Sequence, residues 1–478
     1  MEQQAVAHTN GTEPPRPRLA DAAPATAKSP GIKRQNWKGE ITYYAGVVEV
    51  AESVDDIVRI MKNRDRYPSP VRAAGSHHSE THCIDANGGT VIDVTRMNKI
   101  IAIDKQALTI TMQAGVLHID AAKRLEQEGL QFNVNVEIGN MTVGSAACCG
   151  TKESAFPGGY GQVNSYVIGA KLVLASGELL EVTEQQPELL RAVRSSYGMM
   201  GVLYEVTFKV RPLKAMKVYH VAYSVDDFAN RLQELIAHNK SMMLYMFPFI
   251  GKVVVEYREY VEGKVTSHWQ WWLRNFVWAK FAPFYAALLT KILPRGIRNF
   301  FLNCFGRLNV VTLAWLVKGE RTSPADQIIR YPQKGDGMAA YTFSIWTFPE
   351  SEYPQSIRAY FKFCQDYARQ RGFRPNLLSV GYRVPQDTHS LFSYTARGPS
   401  MTLDPVSTGD AGWEEFLDAY NEWSIQHNGV PLFNQSPRLT PAQAKQALGP
   451  QIKEFQEIRR KYDPTDRLYT EWFRGLFE

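Results

Sequence analysis

The stretch VRAAGSHHSETH, Val71 to His82, concentrates residues able to do chemistry: His77 and His78 stand side by side after Ala74, Gly75 and Ser76, and Ser79 follows. Only 10 histidines occur in 478 residues. Adjacent side chains point in different directions on a strand or a helix, so this pair is ill placed to share a metal as His-x3-His does. One of the two therefore has a separate task. A Gly-Ser-His-His-Ser turn after an apolar run offers consecutive backbone N–H groups and room for close approach, a nest that suits a pyrophosphate. A second run of small residues, TVGSAACCGTKES, begins with Thr142, Val143 and Gly144, continues through Gly150 and Thr151, and offers a facing wall. Neither run is Gly-x-Gly-x-x-Gly opening a helix, so a Rossmann site is not indicated. Read on residues alone, each is equally a tight turn without a ligand, and each histidine a hydrogen-bonded loop residue.

These loops need elements to hold them. Alternation over Ile41 to Val50 predicts a strand, and Ser53 is placed to cap a helix that turns Ile57, Ile60 and Met61 inward. Strands follow around Val71, in GTVIDVT and in ALTITMQ, then a helix from about Leu117 that stops at Gly129. A hairpin closing at Ser176 and Gly177, and a long strand ending near Leu213, complete an α+β unit. A composition 44% hydrophobic and 21% charged is that of a globular chain long enough for two or three domains. A formal charge of +6 is too small to indicate nucleic acid, and no metal cluster stands out. Five cysteines, Cys83, Cys148, Cys149, Cys304 and Cys364, fit reduced thiols in a cytoplasmic setting. The first 35 residues, rich in Pro, Ala and Thr and without the apolar core of a secretory leader, are expected to be a disordered tail.

The order and spacing of NWKGEITYYAGVVEVAESVDDIVRIM, VRAAGSHHS, VIDVTRMNKIIAID, TITMQAGV, TVGSAACCGT, GAKLVLASGELLEV and GMMGVLYEVTFKV resemble the PCMH-type FAD-binding domain of the vanillyl-alcohol-oxidase superfamily. The alditol and aldonolactone oxidases are nearest in look. The resemblance covers residues 36–213 well, the C-terminal region patchily, and residues 214–376 poorly. It implies an FAD domain over 36–213, a substrate (cap) domain with an antiparallel sheet over 214–430, and a segment over 431–478 that packs back on the FAD domain. It also implies that Ala74, Gly75, Ser76, His77, His78, Ser79, Thr142, Val143, Gly144, Gly150, Thr151 and Val202 bind FAD. In covalent members the histidine of Gly-x-x-His-Ser carries the flavin, and here that position is His78. A second linkage through cysteine, as in berberine-bridge-like members, is not expected, because Asn140 falls at that position and Cys148 and Cys149 lie beyond it.

The resemblance to the sugar oxidases weakens where they hold substrate. Their Glu-x-Arg strand corresponds to Gly381-Tyr382-Arg383, and their Gly-x-Pro-His-Trp-Gly-Lys to Gly429, Pro431 and then Leu432, Phe433, Asn434 and Gln435. Arg383 is the expected stabiliser of developing negative charge, with Tyr382 and Gln435 beside it. Loss of the Glu, His and Lys implies a substrate more apolar than a sugar lactone. The implied reaction passes a hydride from a CH–OH carbon to the flavin, with O2 or another acceptor taking the electrons. A sterol- or prenyl-lipid-type reductase or oxidase at a membrane surface is the same-fold alternative, and a flavin-binding membrane scaffold without turnover is the other.

Residues 263–319 contain no Asp or Glu, yet hold Trp269, Trp271, Trp272, Trp278 and Trp315, half of the chain's 10 tryptophans. Lysines and arginines interrupt every apolar run before it reaches the roughly 18 residues of a membrane span. Rings mixed with cations fit peripheral contact with a lipid surface and a lipid-like substrate. A pair of core helices with solvated cations explains the composition equally well.

Overall fold

In the computed structural model, residues 31–266, 268–316, 319–332 and 341–478 are described; residues 1–30 of the tail expected over 1–35 and the side chain of Trp315 lie outside them. Order begins earlier than the expected Asn36, because Ile32–Gln35 pairs antiparallel with Thr42–Ala45. The predicted strand over Ile41 to Val50 is two strands, Thr42–Ala45 and Val47–Val50, parted at Gly46. A Cβ there would meet the carbonyl of Gly88 at 2.6 Å, so the close approach of another loop breaks the strand.

Ser53 caps the helix Val54–Lys62 in a capping box with Asp56, and Ile57, Ile60 and Met61 are its buried face. That face packs on a three-stranded parallel sheet in which Thr90–Asp93 lies between Val47–Val50 and Val71–Ala74. Parallel pairing aims the carboxyl ends of these strands at one rim, and the Gly75 turn leaves from it. An antiparallel sheet adjoins, with the hairpin Val167–Val173 and Leu179–Thr183, the long strand Val202–Pro212, and the strands Thr109–Gln113 and Ile100–Asp104 in order. The helix His118–Gln127 ends before Gly129, whose φ of 74° is the left-handed stop that glycine allows.

The second large layer is an eight-stranded antiparallel sheet assembled from residues 215–431. Ser241–Phe247, buried along its whole length, lies near its middle and pairs with Ser379–Val384. Three helices, Trp269–Phe276, Ala282–Ile292 and Arg295–Leu316, are inserted between strands of this sheet. The C-terminal helices Pro441–Tyr462 and Glu471–Phe477 return to the first half: the Arg467 carbonyl accepts from the Val71 N–H, and the Arg467 guanidinium donates to the carbonyls of Tyr67 and Ile60. Residues 31–478 make one compact unit.

Candidate active site

The two small-residue loops meet. A Cβ on Gly75 would lie 2.4 Å from Thr142 Oγ1, so only glycine lets the turn rest against this threonine. Ser76 Oγ donates to the Asn140 carbonyl, and Gly144 sits so close to Ala114 that a Cβ would fall 2.8 Å from the Ala114 Cβ. Among the described residues, none accepts a hydrogen bond from the backbone N–H groups of Ser76 to Ser79. A run of unpaired donors against small-residue walls fits an anionic group such as the pyrophosphate of FAD.

The two histidines diverge. His77 adopts a left-handed φ of 56° and brings Nε2 within 3.4 Å of the Tyr43 hydroxyl. His78 lies 5.2 Å from the Trp37 ring, and its Nε2 is buried without a partner. Burial, reinforced by His77, pushes the His78 pKa down to about 3, so its imidazole is neutral at ordinary pH. A buried, unpartnered nitrogen fits a site that holds a bound group. Farther along, Asn434 joins the loops: its carbonyl accepts from the Glu80 N–H, and its side chain donates to the Gly150 carbonyl.

A cavity of about 600 Å³ opens between the FAD-side loops and the eight-stranded sheet. Thr151, expected to bind FAD, and Tyr382 and Gln435, expected beside the substrate, line it, and the Gln435 Oε1 is buried without a partner. Aromatic and aliphatic side chains, Trp278, Tyr331, Tyr341, Phe343, Ile345 and Val406, supply most of the remaining wall. Three charged residues that the sequence reading missed complete it: Glu137, Lys152 and Asp404. Lys152 Nζ lies 2.5 Å from Asp404 Oδ2 and 3.6 Å from the centre of the Tyr382 ring. Thr402 Oγ1 donates to the same carboxylate oxygen at 2.9 Å, while Asp404 Oδ1 is buried and unpartnered. Burial pushes the Asp404 pKa up to about 6 against the pull of the Lys152 ammonium. On the opposite wall the Tyr382 hydroxyl donates to Glu137 Oε2 at 3.3 Å, and Arg274 pairs with Glu137.

Arg383 is not part of this cluster. Side chains alternate across the strand Ser379–Val384, so Tyr382 faces the cavity and its neighbour turns away. Arg383 Nε donates to Glu350 Oε2 at 2.5 Å, an ion pair that is partly open to solvent. Contrary to the role expected for it, Arg383 does not reach this cavity and its charge is paired with Glu350. Val202 places its side chain in the core beneath the parallel sheet, with Val71 and Ile92. The missed residues had weak signals: Lys152 directly follows Thr151, and Asp404 is one of two acids, with Asp387, in residues 376–407 around Tyr382.

Comparison with known proteins agrees with this geometry. A family profile described as "FAD binding domain" matches residues 45–183. L-gulonolactone oxidase of Scyliorhinus torazame is 20% identical over 455 residues, covering 94% of this chain and 98% of that one. The Mus musculus protein of the same name is 22% identical over 458 residues, with the same coverage of 94% and 98%. L-gulono-1,4-lactone dehydrogenase of Mycobacterium tuberculosis is 26% identical over 241 residues, 49% of this chain and 54% of that one. Among solved structures, cholesterol oxidase from B. sterolicum shares the fold with a TM-score of 0.73 at 14% identity, over 96% of this chain and 100% of that one. A profile match on the loops that build the nest, lactone oxidases aligned over nearly the whole length, and a shared two-layer fold lead to one assignment. The chain is an FAD-linked oxidoreductase, with an FAD-binding domain over residues 45–183 and a sequence similar to that of the aldonolactone oxidases.

Proposed function

We propose that the protein oxidises the CH–OH group of an apolar alcohol, with Asp404 as the base. The carrying observation is a buried Lys152–Asp404 pair, with one carboxylate oxygen free, set in a cavity whose remaining wall is mostly rings and aliphatic chains, with Glu137, Thr151 and Gln435 among them. Bound FAD supplies the acceptor for the hydride lost by the alcohol carbon. Asp404 Oδ1 takes the hydroxyl proton, and Lys152 keeps the carboxylate ionised at neutral pH. Tyr382, fixed by Glu137, and Gln435 position the substrate. The lactone oxidases in the comparison match this chain in sequence, but the rings and aliphatic chains that make much of the lining favour an alcohol with a large hydrocarbon body, its hydroxyl held at the polar cluster of Glu137, Lys152, Asp404 and Gln435. Dioxygen is the electron acceptor that the word oxidase names in those relatives. Anaerobic mixing tests the reading: long-chain or sterol-type alcohols are expected to bleach the flavin absorbance. Bleaching by sugar lactones alone, or by no alcohol, rejects it.

The same reading includes a covalent bond between His78 and the flavin. It is supported by a neutral imidazole with a buried, unpartnered Nε2 in the turn that resembles the attachment loop of covalent members. Such a bond withdraws electron density from the flavin and favours oxidation of poor hydride donors. Acid precipitation is expected to leave the yellow colour with the wild-type and His77→Ala proteins and release it from His78→Ala. Complete release from the wild type refutes the linkage while leaving FAD binding intact.

Substrate delivery in this reading is from a lipid surface. Trp269, Trp272, Phe300 and Val311 are 59%, 69%, 62% and 70% exposed on the inserted helices, a density of exposed apolar side chains that marks an interaction face. No helix among the described residues is long and apolar enough to cross a membrane, so the contact is peripheral.

A further inference from the structure

A second cavity, of about 890 Å³, lies between the three inserted helices and the middle of the eight-stranded sheet. Phe247, Ile250, Leu302, Phe305 and Leu377 make it apolar. It shares Trp278 with the catalytic cavity, and Arg274 and Tyr245, joined by a 3.0 Å hydrogen bond, line it near that shared wall. From Tyr245 it follows the chain through Phe247 to Phe249, at most about 13 Å at the rise of an extended strand.

Away from that wall Arg374 is the charged residue of the lining, with Asn303, Asn309, Thr312 and Asn376 as its polar neighbours there. Its guanidinium lies 3.9 Å from the centre of the Phe249 ring, one amine donates to Asn303 Oδ1 at 2.9 Å, and Nε is buried with no partner. Among the described residues, no carboxylate forms an ion pair with it, and the charged group acting on it most is Arg298, of like sign. Burial and Arg298 lower its pKa only to about 10, so it remains a cation. A half-buried cation with a buried, unused donor and no counter-ion among the described residues, at one part of a largely apolar cleft, is complementary to an anion on a hydrocarbon chain.

We propose that this cleft binds a long-chain carboxylate, with the carboxylate on Arg374 and the alkyl chain laid along Phe247 toward Trp278. The inference rests on the cleft alone, so it can fail while the oxidation reading stands, and the reverse. Calorimetric titration of the FAD-loaded protein with dodecanoate, below the concentration at which it forms micelles, is the direct test, with dodecanol as the uncharged comparator. Dodecanoate is expected to bind more tightly than dodecanol. Arg374→Met, which keeps the side-chain bulk and removes the charge, should weaken dodecanoate about tenfold or more and leave dodecanol unchanged. Gly306 lines the cleft, and a Cβ there would stand in ordinary contact, 3.6 Å, with Phe247 and Ile250 of the same cleft, so a larger side chain would take up space in it. Gly306→Phe should therefore abolish binding of both probes with little change in melting temperature. If Arg374→Met fails to fold, Arg374→Lys serves in its place and should retain the preference for dodecanoate. Anaerobic bleaching by ω-hydroxydodecanoate assigns the carboxylate to the substrate itself; binding without bleaching assigns it to a separate ligand of the cleft. Equal affinity for dodecanoate and dodecanol, or an unchanged dodecanoate affinity in Arg374→Met, overturns the proposal.

Discussion

At Asp404 two opposing forces set the chemistry. Burial raises the pKa of its carboxyl to about 6, and the Lys152 ammonium at 2.5 Å limits the rise. The ionised form is the one that accepts a proton, so kcat/KM is expected to increase as pH rises through about 6 and to level off above it. Asp404→Asn should lower turnover by roughly 10²- to 10⁴-fold and abolish that limb. Lys152→Met removes the cation that favours the carboxylate and should move the limb to higher pH. An unshifted limb in Lys152→Met, or full activity in Asp404→Asn, removes the pair from the reaction. This pair was hard to read from the chain, since its members stand 252 residues apart and neither belongs to a motif. Thr151, Tyr382 and Gln435 were legible because each sits in a segment whose surroundings keep a recognisable order; Lys152 and Asp404 acquire their meaning only when two layers close on each other.

The strand Ser379–Val384 shows what an element adds to a residue. Alternation sends Tyr382 into the cavity and Arg383 to the Glu350 side, so the residue type of Arg383 suggested a chemistry that its parity denies. Arg383→Met is expected to keep turnover near the wild-type value and to cost about 1 kcal/mol or less of stability, the scale of a partly exposed ion pair. Steady-state rates and a denaturant titration measure the two separately, and a large fall in rate at unchanged stability returns Arg383 to the site. Local rules worked where local forces decide: the Ser53 capping box, the inward face of Ile57, Ile60 and Met61, and the stop at Gly129 follow from nearest neighbours along the chain. They failed at Gly46, where the obstacle is the carbonyl of Gly88, and they could not decide between core and surface for Trp271 and Trp278, whose burial depends on how the inserted helices meet the sheet.

Across the whole molecule, the acid-free segment over residues 263–319 divides its tryptophans between two tasks. Trp271 and Trp278 are 0% and 9% exposed and belong to the core, while Trp269 and Trp272 point outward together with Phe300, Leu308 and Val311. Lys280, Lys291, Arg295 and Arg307 are exposed on the same helices. Two terms then act at an anionic lipid surface: each ring transferred from water contributes about 1 to 3 kcal/mol, and each nearby cation about 1 kcal/mol. Neither term alone holds a protein firmly, but several of each give reversible attachment without a span. Flotation with anionic liposomes separates them, because salt screens only the charges. The wild-type protein is expected to float at low salt and less so at high salt. Replacing Trp269, Trp272 and Phe300 together by Ser should reduce binding by about 10²-fold or more. That variant should also keep its flavin and its melting temperature, since none of the three side chains is buried. Lys280→Gln with Lys291→Gln should instead flatten the salt dependence. A wild-type protein that stays with the pellet beside anionic vesicles at low salt shows that this apolar face is built for something other than lipid.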